Sequence, residues 1–231
     1  VYGDLQGVQA AMVVNVARQS LEGVQVGGAV NIGRVDGLQL GAINVSQELH
    51  GVQIGILNVA RRIDGLQIGV INVTDQLDGE SLGIIPLPRR GGIHLAAWGS
   101  NSLFGNIGLK FASVHAYSLL SVALHSVPRA PDSEGGPRQP IFGAGLTLGA
   151  RFPLPMPGFA IAADIGGHRL FRERIAFVGG HDEIYKTRIL LSYSMAPRLT
   201  PFVGGGAYVS LHGQDTLHTT YGPELDVGIE L

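Results

Sequence analysis

The sequence predicts an all-β protein in two parts. An N-terminal β-solenoid built on a 14-residue repeat is followed by an eight-stranded antiparallel transmembrane β-barrel. Three observations carry this expectation. A nearly constant word recurs through the first third, period-two alternation fills the remainder, and the 231 residues include 35 glycines, no cysteine and only 15% charged side chains. Glycine is at roughly twice its usual share. Mean hydropathy is +0.24, so the chain buries surface and is not disordered. The lack of cysteine excludes disulfides, zinc–thiolate sites, iron–sulfur clusters and thiol nucleophiles. A net charge of −2 without a basic run argues against nucleic acid as a partner. There is no run of 18 apolar residues to form a transmembrane helix. The chain opens on Val1, which fits a removed signal peptide, and further coils before Gly7 are compatible with its uncapped start.

The repeat comes first in the chain. Gly37-Leu-Gln-Leu-Gly-Ala-Ile-Asn-Val45, Gly51-Val-Gln-Ile-Gly-Ile-Leu-Asn-Val59 and Gly65-Leu-Gln-Ile-Gly-Val-Ile-Asn-Val73 are close copies. Gly7 to Val16 and Gly23 to Ile32 are looser ones, and Gly79 to Leu87 is degenerate. Glycine spacings of 16, 14, 14, 14 and 14 suit a flattened coil with a main strand, a shorter return segment and two turns. Alternation sets Val52, Ile54 and Ile56 on one face and Gln53, Gly55 and Leu57 on the other. Such coils bury a face only by stacking on neighbours. Stacked in register, Asn15, Asn31, Asn44, Asn58 and Asn72 form one buried amide ladder. Gln9, Gln25, Gln39, Gln53 and Gln67 form a second. An amide both donates and accepts, so a ladder satisfies itself. The rival reading is an exposed array that binds ice, glycan or metal; amide ladders are more often structural. The repeated glycine permits positive φ or close approach of coils. Pro86 takes the ladder position of the last copy and removes a backbone donor, so the stack should end there. The domains are therefore expected at 1–91 and 92–231.

The second part reads as strands near 93–99, 106–114, 116–126, 141–152, 159–169, 185–195, 201–211 and 221–231. In the fourth, Phe142, Ala144, Leu146, Leu148, Ala150 and Phe152 share a face opposite Ile141, Gly143, Gly145, Thr147, Gly149 and Arg151. In the eighth, Pro223, Leu225, Val227, Ile229 and Leu231 oppose Gly222, Glu224, Asp226, Gly228 and Glu230. The fifth sets Phe159, Ile161, Ala163 and Ile165 against Asp164 and His168. A barrel of eight strands is too narrow for more than small and paired polar groups inside. Glycines and charges therefore point inward and aliphatics outward, towards lipid. Lys110, Arg151, Asp164, His168, Arg188, Glu224 and Asp226 are the expected interior polar set, read as a salt-bridge network in preference to an ion-selecting one. Short connections near Val114–His115, Pro153–Gly158 and Ala196–Thr200 alternate with longer ones at Val127–Pro140, Leu170–Ile184 and His212–Thr220. That asymmetry puts both barrel ends on the periplasmic side of a bacterial outer membrane. A lipocalin-like soluble barrel would have the opposite polarity. Aromatic content of 6% is thin for interfacial girdles and favours that competitor. A further topology makes the repeats six more barrel strands, giving about fourteen and a small-solute pore.

The search for chemistry finds little. Nucleophile elbow, HExxH, P-loop and dinucleotide fingerprint are all missing, and no cofactor is expected. His115 and His125 lie ten residues apart, and His212, His218 and Asp215 read as a solvated loop rather than a metal site. A lipid-modifying barrel enzyme needs a Ser–His pair. The adjacent His125–Ser126 would point to opposite strand faces.

The words at Gly51–Val59 and Gly65–Val73, with the ending Ile84-Ile85-Pro86-Leu87-Pro88, resemble a surface-repeat family of bacterial outer-membrane proteins with tandem G-[VL]-Q-[IL]-G-x-[IL]-N-[VI] units. The resemblance covers about residues 7–88. The rest is similar to OmpA- or OmpX-type small barrels in pattern only. The resemblance implies an envelope location and no enzymatic activity. The expectation is a non-enzymatic outer-membrane anchor or scaffold, with outer-membrane lipid or lipopolysaccharide and an envelope protein as partners. Its repeat would lie on the periplasmic side.

Overall fold

A computed structural model describes residues 5–88, 92–127, 139–171, 181–212 and 218–231. The chain divides into two compact units: one of Val1–Ile93 with Phe111–Ser118, the other of His94–Lys110 with Leu119–Leu231. The described residues are all-β, without helix.

The first unit is a stacked β-solenoid. Its strands β1 (Leu5–Ala11), β2 (Val14–Gly27), β3 (Val30–Leu40) and β4 (Ile43–Pro88) form one sheet in that order. The pairing is parallel, with Gly7 on Gly23, Gly23 on Gly37 and Gly37 on Gly51. β4 is a single extended run that continues winding. Its coils are tied at the same 14-residue interval by Gln53→Gln39, Gln67→Gln53, Asn44→Asn58 and Asn58→Asn72 bonds. Offsets of 16 and 13 residues around Asn31 are absorbed by register shifts at Val16/Ser20 and Gly33/Val35.

Strict alternation does not persist through the word, which corrects the expected faces. Gln53 and Asn58 both point inward although five residues apart, so the parity switches across Gly55–Leu57. Ile56 emerges 60% exposed at that corner. Gly51 and Gly65 hold φ of +137° and +143°, which an L side chain rarely adopts. The interior aliphatic row is Leu21, Val35, Leu49, Ile63 and Leu77, with Ala17 and Ala60 beside it. Each residue of the row sits on a return segment beside at least one acidic neighbour: Glu22, Asp36, Glu48, Asp64 or Asp78. β4 ends at Pro88, just past Pro86.

Beyond the ladder, the last coil is covered by residues 111–118 of its own unit. Glu80 accepts from the backbone N–H of His115 and Ala116 and pairs with His115 Nδ1 at 2.6 Å. Ser113 Oγ accepts from the Ser81 N–H, and Ser118 Oγ donates to the Ile84 carbonyl. Burial would raise the Glu80 carboxyl, but the N–H groups of Ala116 and His115 and the side chains of His115 and Ser113 outweigh it and hold it below its ordinary 4.5. A lowered carboxyl contributes stability that is complete above about pH 4.5 and is lost as the pH falls through the lower folded-state value. Replacing Glu80 by Gln should therefore flatten the acid limb of repeat stability, measured as denaturation midpoint against pH. An unchanged limb assigns acid loss to other carboxylates.

The second unit holds most of a closed eight-stranded barrel, whose strands are β5 (Gly92–Ser100), β6 (Gly105–Ala112), β7 (Ala116–Val127), β8 (Gln139–Pro153), β9 (Phe159–Phe171), β10 (His181–Tyr193), β11 (Thr200–His212) and β12 (His218–Glu230). It closes where β12 pairs antiparallel with β5, Asp226 facing Ser100 and Glu230 facing Ala96. Reciprocal Leu95–Leu231 backbone bonds extend the seam. The barrel shuts with eight strands and the repeats form their own parallel sheet, so the fourteen-stranded alternative is not the fold. Parallel stacking consumes the repeat's backbone groups coil to coil and leaves them unavailable to an antiparallel wall. Of the expected long connections, residues 128–138, 172–180 and 213–217 lie outside the described residues.

Candidate functional site: amide ladders and a charged barrel interior

Two constructions stand out, one in each unit. In the repeat, Asn15, Asn31, Asn44 and Asn58 each donate Nδ2 to the next Asn Oδ1 at 2.8–2.9 Å. Each also donates to a carbonyl one coil on: Val26, Leu40, Ile54 and Ile68 respectively, and Asn72 donates to Leu82. The glutamines run the other way. Gln25 donates to Gln9, Gln39 to Gln25, Gln53 to Gln39 and Gln67 to Gln53, at 2.6–2.9 Å. Two columns of aligned amide dipoles thus oppose each other, which limits the field that either would build alone. From Gln25 to Asn72 the ladder side chains are completely buried. Gln9 is half-buried; it donates to the Val16 carbonyl and accepts from Gln25. Gln67 Oε1 has no partner, since the next position holds the shorter Ser81. A buried ladder displays no amide array outward.

Replacing Asn58 by Leu, of similar size, removes a donor to Ile68 O and Asn72 and an acceptor for Asn44. Unpaired buried groups cost roughly 1–3 kcal/mol each, so the repeat should lose several kcal/mol. Gln9→Leu orphans one donor at the edge and should cost far less. Denaturant midpoints for the two variants test the ladder; equal losses would sink it.

In the barrel, the expected interior residues are brought together by pairing across strands. Arg188 forms a fork on Asp164, Nε–Oδ1 2.8 Å and Nη2–Oδ2 2.9 Å, and reaches Asp226 Oδ1 at 3.1 Å. Its guanidinium lies 5.7 Å from the Trp98 ring centre. Lys186 donates to Glu224 at 2.6 Å and to Ser100, while Ser102 donates to the same Glu224 oxygen at 3.0 Å. Lys110 is paired with Glu230. His168 Nε2 shares a hydrogen bond with Ser121 Oγ at 3.0 Å. Arg151 is half-buried and near enough to Lys110 for their like charges to interact. Lys186 and Ser121 lie outside the expected set. Lys186 was legible as the residue two before Arg188 and hence on its face.

Glycines make the room. In the strand registers, large interior groups face glycine: Trp98 opposite Gly228, Arg188 and Glu224 opposite Gly206, Asp226 opposite Gly204, Asp164 opposite Gly149 and His168 opposite Gly145. β11 runs between β10 and β12, and Gly204 and Gly206 on its inner face leave a trough across which Arg188 and Lys186 reach the acids of β12. A Cβ on Gly145 would collide with the His168 ring.

The chain matches no protein-family model, no curated protein and no solved structure.

Ser121 and His168 make a serine–imidazole contact inside the barrel, whereas the Ser126 side chain falls outside the described residues. His168 Nδ1 has no partner, so no carboxylate orients the ring as a general base requires. Both residues are buried. The pair fills part of the interior and leaves Nδ1 of the ring unpaired. His212 and Asp215 likewise fall outside the residues whose side chains are described.

The outer surfaces complete the site. On the barrel, Leu109, Val122, Phe142, Leu148, Phe152, Ile161, Ile165, Ile189, Val203, Leu225 and Val227 are all exposed. Their strand neighbours Lys110, Thr147, Asp164, Arg188, Glu224 and Asp226 are buried.

Proposed function

We propose that the protein is a non-enzymatic anchor and scaffold of the bacterial outer membrane, held by its barrel and offering the repeat to another envelope component. The observation that supports this most is the inverted polarity of the barrel: aliphatics outside, paired charges inside. Water would favour the reverse arrangement, and hydrocarbon this one. An antiparallel barrel also leaves no strand edge within the bilayer. Strands of 12–15 residues from β7 to β12 suffice to cross it when tilted. The turns 113–115, 154–158 and 194–199 are short, which favours a periplasmic side for them and for the repeat that precedes β5. The similarity of the repeat word to surface-repeat proteins points to the same compartment. β1 is the outermost strand of the described solenoid sheet, and a strand at a sheet edge is the kind of element that takes up a partner strand.

The test is electrophoretic mobility of detergent-extracted chain before and after boiling, with conductance in planar bilayers. A heat-dependent shift without conductance steps is the expected result. A protein that stays soluble without detergent overturns the membrane reading, and regular conductance steps overturn the closed interior.

A further inference from the structure

The repeat has a second anomaly besides its amide interior. Its charges are segregated. Between residues 23 and 73, the segments 23–32, 37–45, 51–59 and 65–73 contain no charged residue. The charges lie on the intervening segments, as Arg34, Asp36, Glu48, Arg61, Arg62 and Asp64. The ladder glutamines and asparagines of the uncharged segments are turned inward and bonded to one another. What remains outside is aliphatic: Ile32, Leu40, Ile43, Ile56, Ile68 and Val70 are exposed. Along the corner, Leu40, Ile54, Ile56, Ile68 and Val70 border a shallow groove of about 390 Å³ floored by Gly41, Gly55 and Gly69. Soluble proteins rarely leave uninterrupted apolar patches of more than roughly a few hundred Å² in water.

We infer that this flank of the repeat is a lipid-contacting face that lies against the acyl chains of the membrane. The inference rests on the membrane reading above, which supplies the bilayer. The chemistry selects lipid over protein. A protein partner that adds a strand needs a free edge, and a flank has none. A protein–protein patch carries a polar rim and about one hydrogen bond per 100–200 Å². Here the amides are spent inside, and the charges stand on other segments. Coil-to-coil pairing also satisfies the backbone internally, which contact with hydrocarbon demands. The occupant that asks only for dispersion contacts is an acyl chain. The charged segments meet headgroups or water, as in amphipathic elements that lie in a membrane interface.

The lack of cysteine makes the test clean. Full-length chain in phosphatidylcholine vesicles is labelled with an environment-sensitive fluorophore at Ile56→Cys or Val70→Cys on the flank. Gln76→Cys serves on a charged segment and Leu225→Cys on the barrel surface. Each variant is checked for the heat-dependent mobility shift. Labels at 56 and 70 should emit further to the blue than at 76, be quenched by lipids nitroxide-labelled on the acyl chain, and resist aqueous iodide. Iodide quenching at 56 and 70 with lipid quenching at 225 overturns the inference and leaves the barrel reading standing. Resistance to both quenchers together with an Ile56→Cys disulfide dimer assigns the face to a second copy, which also overturns it. Failure of lipid quenching at 225 as well brings down the membrane reading and the inference with it.

Discussion

Replacing Arg188 by Met should unseat the barrel. The guanidinium is the shared cation of two buried carboxylates, Asp164 on β9 and Asp226 on β12, and it crosses β11 to join them. Removing one partner of a buried ion pair typically costs about 3–5 kcal/mol, because the survivor keeps its desolvation penalty without compensation. Here two acids are stranded together. The loss is comparable with the whole stability of an ordinary domain, about 5–15 kcal/mol. The expected result is a large fall in the temperature at which the folded electrophoretic form is lost. Emission of Trp98, the only tryptophan and a ring next to Arg188, should change with it. Arg188→Lys should recover little, since an ammonium cannot make the two-pronged contact on Asp164 while also reaching Asp226. The decisive comparison adds Asp164→Leu and Asp226→Leu to Arg188→Met. If stranded charge is the cause, the triple variant regains much of the stability that the single variant loses. If all three variants melt like the parent, the interior network does not hold the barrel together.

That network also shows what could be read in the chain beforehand. Alternation assigned Asp164, His168, Arg188, Glu224 and Asp226 to the inward face, and each is buried. Period two is rigid in a barrel wall because each residue has an outer or an inner side and no corner intervenes. The partners were not legible. Arg188 pairs with Asp164 and Asp226 through registers that depend on all the strands, and a single sequence carries no direct record of register. The glycines held more of it than was extracted: a large inward group on one strand faces a glycine on the next, as His168 faces Gly145 and Trp98 faces Gly228.

The repeat divides in the same way. The ladders were legible because one coil's Asn and Gln recur at the spacing of the stack. The shape of the coil was less so. Alternation through Gly51–Val59 put Leu57 with Gln53, but a corner at Gly55–Leu57 switches the parity and brings Asn58 inward instead. The aliphatic row from Leu21 to Leu77 was equally periodic, hidden only because charges flank it on the return segments. The outward apolar flank required the corner to be known, since its exposure depends on which side of each strand the amides take.

The other large effect is expected at Gly65. Its φ of +143° lies where an L side chain is strained, at roughly 1–3 kcal/mol. A Cβ there would also fall on the carbonyl oxygen of Gly51 in the coil below. The obstacle is backbone, held at the strand spacing by the ladders on either side, so it cannot swing aside like a side chain. Forcing a methyl into a packed interior adds about 1–3 kcal/mol. Gly65→Ala should therefore cost several kcal/mol and open the repeat locally, exposing Arg61 and Arg62 to trypsin under native conditions. Gly7→Ala separates the two causes. It has the same kind of backbone, φ +123°, but a Cβ at Gly7 meets nothing within 4 Å. Its loss should reflect strain alone and be the smaller. Equal losses at 7 and 65 would mean that conformation, and not coil spacing, is what the glycine column protects. A clear excess at 65 means that the column keeps the coils close enough for each amide to reach the next.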